Sequence, residues 1–179
     1  MNKIISLALL LCLMISCVAC GNSMDNNSSD ISITLPASIY EGTDMSAFNP
    51  VAEAEKKGYK EVVVNEDGSV TITMTKDRHN QILSDLKLEY SNNISSLTNS
   101  SEYPYLLDIQ FNDNFSEFAI LVDKEGYISA SDLTPYTLYM AAAFYQMFEG
   151  NEPSCLVLIK DQMTDELINI VHYPNNIAN

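Results

Sequence analysis

The 179-residue chain contains two histidines, and their neighbours decide whether either can move a proton. His79 sits beside Lys76 and Arg78 at the start of a helical pattern, and His172 lies near the end of the last expected strand, on the face shared by Ile168 and Ile170. A general base needs a partner that orients it and a nucleophile within reach, and no recognisable motif supplies both to either residue. Both therefore read as structural. The sequence also lacks a G-x-S-x-G elbow, an H-E-x-x-H pair, a glycine-rich phosphate loop and the kinase and β-lactamase sets. We assign no catalytic residue and no cofactor from these patterns.

Oxygen ligands cluster in two places. Asp161, Asp165 and Glu166 share one turn; Asp108, Asn112, Asp113, Asn114 and Glu117 surround another. Calcium needs about six to eight oxygens at fixed offsets, which neither stretch provides. Turns favour Asp and Asn for backbone reasons, so no metal ligand is assigned. Cys155 stands inside the apolar run from Cys155 to Ile159 and reads as a buried, inert thiol. Ten tyrosines and eight methionines leave one further chemistry, a ligand pocket lined by Tyr136, Tyr139, Tyr145, Met140 and Met147 on one helix. Core packing accounts for the same periodic positions.

The elements that would carry these residues follow from periodicity. Ile31, Ile33 and Leu35 alternate with polar residues up to Pro36, giving a short strand at an edge. Asn49-Pro50 opens a short helix that Gly58 closes. A hairpin runs from Lys60 to Val64, turns at Asn65-Glu66-Asp67-Gly68 and returns from Ser69 to Thr75. Thr75 caps a long helix whose stripe is Ile82, Leu83, Leu86, Tyr90, Ile94 and Leu97. Tyr105, Leu107, Ile109 and Phe111, then Phe118, Ile120 and Val122, make a second hairpin. Thr134-Pro135 starts a helix that is apolar on most sides and ends at Gly150; the last hairpin spans Cys155 to Tyr173. The fold class is α+β: an antiparallel sheet built from hairpins, with two long helices and one short helix packed on it.

The N-terminus follows another logic. Lys3 precedes an apolar run, Ile4 to Ile15, broken only by Ser6 and Cys12, the layout of a secretory signal. The 16 largely apolar residues from Ile4 to Ala19 fall short of the roughly 20 of a spanning helix. The segment Cys17-Val18-Ala19-Cys20-Gly21-Asn22 resembles the lipobox of bacterial lipoproteins, departing from it at Cys17, where that motif usually has Leu. Met14-Ile15-Ser16-Cys17 is a weaker lipobox. The resemblance implies cleavage after residue 19 and lipid attachment at Cys20, with Cys17 as the competitor. Residues 1–19 are then the signal peptide, 20–30 the lipidated Cys and a polar tether, 31–174 one globular domain and 175–179 a tail.

Stretches such as Ile33 to Ser46, Asn65 to Met74, Tyr145 to Pro153 and Val171 to Pro174 resemble small uncharacterised lipoproteins of Firmicutes, Clostridia especially, which implies a folded domain on a cell surface and no particular activity. Losing Lys3 with the signal takes the formal charge from −15 to −16. So acidic a surface disfavours nucleic acid, whose phosphates require Lys and Arg. The expected partners are the membrane, through the lipid on Cys20, and a ligand the sequence leaves unnamed. The expected role is a membrane-anchored extracytoplasmic binding or interaction module without enzymatic activity; the alternatives are a cell-surface hydrolase with dispersed catalytic residues and a structural or assembly lipoprotein.

Overall fold

The computed structural model describes residues 30–128 and 133–174. The expected signal peptide, Cys17, Cys20, the expected tether up to residue 29 and the tail from residue 175 lie outside the described residues. The chain divides into two compact units between Asp85 and Leu86.

The first unit is built on a three-stranded antiparallel sheet. Strands β1 (Ile31–Leu35), β2 (Glu61–Val64) and β3 (Val70–Met74) take the order β1-β3-β2, with Ile33 and Val62 both opposite Ile72. Alternation sends Ile33, Leu35, Val62, Val70, Ile72 and Met74 to one buried face. The other face carries hydroxyl pairs, Ser32 with Thr73 and Thr34 with Thr71, each at 3.0 Å. Helix α1 (Pro50–Lys57) starts as its sequence requires: the Ala52 amide donates to Asn49 Oδ1 at 3.1 Å, and Pro50 fills a position that needs no donor. Gly58, at φ 68°, ends it in the left-handed region that glycine enters without steric cost.

Helix α2 (Lys76–Thr98) begins where expected, with the Arg78 amide donating to Thr75 Oγ1 at 3.2 Å. Its stripe is as read from spacing: Ile82, Leu86, Tyr90 and Ile94 are buried, and Leu83 and Leu97 half-buried.

The second unit carries a four-stranded sheet of β4 (Leu106–Phe111), β5 (Glu117–Val122), β6 (Cys155–Asp161) and β7 (Leu167–Tyr173) in the order β4-β5-β6-β7. The α+β class holds, with two departures from a single hairpin-built antiparallel sheet. The hairpins divide between two sheets, and β5 and β6 run parallel. The reason is the connection: 32 residues separate Val122 from Cys155, holding helices α3 (Lys124–Ile128) and α4 (Thr134–Phe148), and such a crossover returns the chain in the same direction. A register shift between Leu106 and Asp108 breaks the alternation expected of β4, so Leu106 is buried and Leu107 exposed.

Helix α4 packs on β6, over a face formed by Cys155, Val157 and Ile159 together with Phe118, Ile120 and Val122 of β5. An aromatic knot closes this core. Phe115 stacks on Phe111 at 5.2 Å between ring centroids and meets Tyr145 edge-on at 5.0 Å and Tyr90 edge-on at 6.0 Å. Its backbone sits at φ 55°, a conformation strained for a bulky residue. Aromatic pairs contribute about 0.5–1.5 kcal/mol each beyond area burial, enough together to hold that strain.

Candidate functional site

The tyrosines of α4 separate into two groups. Tyr145 turns inward to the knot around Phe115 and is buried, with burial and then the neighbouring Glu149 carboxylate raising its hydroxyl above the ordinary phenol value. Tyr136 and Tyr139 lie on the other side, where β7 ends. Tyr139 stacks nearly parallel on Tyr173, 4.7 Å between centroids and 13° between planes; Tyr136 meets Tyr173 at 6.3 Å and 63°. Burial, the Tyr136 side chain and Cys155 raise the Tyr139 hydroxyl in turn, so it remains a neutral donor and acceptor at physiological pH.

This corner is apolar and open. Leu133, Tyr136 and Met140 fall three and then four residues apart, so they share one stripe of the helix surface, and they are 53%, 50% and 43% exposed. The opposite side of α4 buries Leu138, Ala142 and Tyr145, and Phe148 is buried beside them, while the exposed stripe itself ends at the buried Ala143, three residues beyond Met140. The helix is therefore apolar all round, with only part of that surface covered by its own unit's core. Sequence reasoning placed Tyr136, Tyr139 and Met140 on one helix. It missed Tyr173, which enters only through the pairing of β7 with β6 opposite Cys155.

The far end of α4 is tied down by a residue that spacing did not flag. Gln146, 3% exposed, accepts from the Ser154 amide through Oε1 at 2.8 Å and donates through Nε2 to the carbonyls of Ser154 at 3.0 Å and Asn114 at 3.2 Å. One side chain thus ties the end of α4 to the entry of β6 and to the β4–β5 turn.

Both acidic turns are engaged by their own backbones. Asp161 Oδ1 accepts from the amides of Met163 at 2.7 Å and Thr164 at 3.0 Å, and the Thr164 amide leads the contacts that hold its carboxyl below the ordinary range. Asp165 pairs with Lys160 at 3.0 Å and Glu166 with Lys124 at 2.7 Å. In the other turn Asn112 and Asn114 bond to Ser116, and Asp113 pairs with Lys87 at 2.7 Å. Among the described residues no group of three or more His, Cys, Asp or Glu side chains is placed to hold a metal ion. His172 is exposed on the face of β7 that it shares with Ile170, and His79 is half-buried in the first turn of α2. Cys155 is 2% exposed and burial pushes its thiol up to about 12, which makes it a poor nucleophile.

No helix among the described residues is long and apolar enough to cross a membrane. Compared with protein-family models, curated proteins and solved structures, the chain matches none.

Proposed function

We propose that this is a lipid-anchored, extracytoplasmic binding module that takes its ligand at the Tyr136–Tyr139–Tyr173 corner. The observation that carries the binding role is the exposed stripe Leu133, Tyr136 and Met140 beside stacked tyrosines. Aromatic rings with a polar tip are economical recognition groups, since each offers a large rigid surface and a hydroxyl that can donate or accept. The anchor reading rests on Lys3, the apolar run after it and the lipobox-like segment ending at Cys20.

The test is the thermal midpoint of the protein with glycans, peptidoglycan fragments and cationic or neutral peptides, alongside the Tyr136→Ala variant. A ligand that prefers the native state raises the midpoint by mass action. The reading requires at least one ligand whose shift is present in the parent protein and lost in the variant. A shift that survives Tyr136→Ala unchanged places binding elsewhere.

One observation favours the assembly alternative. On the sheet face opposite Cys155, Val157 and Ile159, Leu121, Leu156 and Leu158 are half-buried, and Ile170 is 45% exposed. That reading requires self-association that depends on Leu158 or Ile170, measured by sedimentation.

A further inference from the structure

Beside the tyrosine corner, β7 is the last strand of its sheet, and among the described residues no strand pairs with its outer side. Beyond a register shift near Ile168, Asn169 to Tyr173 run in regular antiparallel register with Cys155 to Ile159. The Ile170 amide donates to Asn169 Oδ1 at 2.8 Å, so it points away from β6. Ladder geometry alternates, which puts the His172 amide and the carbonyls of Ile170 and His172 on the same outer side. The segment Leu167 to Tyr173 contains no Asp, Glu, Lys or Arg. The other edge of this sheet differs: β4 carries Asp108, and a charge on an edge strand discourages pairing.

Charge indicates what the edge accepts. Among the described residues of the second unit the only cations of the Lys and Arg type are Lys87, Lys124 and Lys160, and each is paired with a carboxylate. Glu89, Glu102, Glu117, Glu125 and Glu152 add negative charge to the same unit. Two copies meeting through β7 would bring two such fields together, whereas a cationic chain is drawn in.

We infer that β7 takes a cationic, extended polypeptide as an added strand, its main chain bonding to the His172 amide and carbonyl and to the Ile170 carbonyl, and its side chains on one face meeting Tyr173 and Tyr136. This rests on the binding role proposed for the corner and supplies its ligand class. A strand added at the usual spacing lies about 4.7–4.9 Å from β7, which brings its alternate side chains level with the exposed Tyr136 ring.

The experiment uses the full chain in detergent and a synthetic peptide of alternating valine and threonine with paired lysines at both ends. The inference requires that this peptide bind and slow hydrogen exchange of the His172 amide. N-methylation of the peptide on the residues facing β7 must weaken binding about tenfold or more, since main-chain bonds are lost. Replacing its lysines by glutamates must abolish binding, and raising salt must weaken it. His172→Pro, which removes an outward amide and leaves the β6 ladder intact, must act like N-methylation. Equal binding of the N-methylated peptide, protection of β4 amides instead, or no binding at all overturns the inference. So does a dimer that protects His172 without peptide, because the occupant is then a second copy. If a different ligand shows a midpoint shift lost in Tyr136→Ala while the peptide does not bind, strand addition fails and the binding role stands.

Discussion

Replacing Gln146 by Leu tests whether a single buried amide holds the end of α4 to the entry of β6 and to the β4–β5 turn. The substitution keeps nearly the same volume and deletes three bonds, leaving the Ser154 amide and the carbonyls of Ser154 and Asn114 without their partner. An orphaned buried group costs about 1–3 kcal/mol. Ser154 and Asn114 are themselves exposed residues, so water can reach part of what is lost, and the low end of that range applies to each group. Three groups at about 1 kcal/mol, less a fraction for the apolar side chain gained, give about 2–3 kcal/mol of destabilisation. Since the chain divides into two units, a single global transition is a poor gauge. Native-state hydrogen exchange of Val157 and Ile159, both fully buried in β6, reads the unit concerned. Their protection should fall by about 30- to 150-fold, the equivalent of that free energy. A fall of less than about threefold would mean that the three bonds contribute little beyond what water offers, and that Gln146 does not tie α4 to β6.

Leu86→Ala, on the buried stripe of α2, should cost about 2–5 kcal/mol as a large-to-small core truncation, measured by native-state hydrogen exchange of the α2 amides; a near-zero effect would mean that this turn of the helix is loosely packed. Cys155 should resist alkylation in the native protein and react on unfolding, as peptide mapping after iodoacetamide treatment would show. Its raised thiol value also sets a pH dependence. The native state holds the proton more tightly than the unfolded chain, so this contribution to stability is intact below the ordinary value of 9.0 and is lost as pH rises towards about 12. Stability should therefore fall less steeply across that window in Cys155→Ala than in the parent protein; equal slopes would refute the assignment.

Much of the fold was legible because its signals are local. Asn49-Pro50 and Gly58 bracket α1, Thr75 caps α2, alternation locates β1 and β3, and the apolar run from Cys155 to Ile159 marks β6. What the sequence could not show is which strands meet. The parallel pairing of β5 with β6 depends on the helical crossover through α3 and α4, and nothing in either strand's residues distinguishes a parallel from an antiparallel neighbour. The register shift in β4 was equally silent, since Tyr105, Leu107 and Ile109 alternate as an unbroken strand would. The site was half legible. Helical spacing gathers Tyr136, Tyr139 and Met140, but Tyr145, which looks equivalent in the sequence, belongs to the core. Tyr173 joins the corner only through tertiary pairing, and Gln146 reads as an ordinary polar helix residue until its three backbone partners are seen.

That the module works from a membrane surface rests on Cys20, and intact-mass analysis of the chain recovered from the membrane fraction of a lipoprotein-processing bacterium tests it most directly. The account predicts a chain that begins at Cys20 and carries lipid, with the modification lost in Cys20→Ala. A chain that retains residues 1–19, or one lipidated at Cys17 or nowhere, would contradict it.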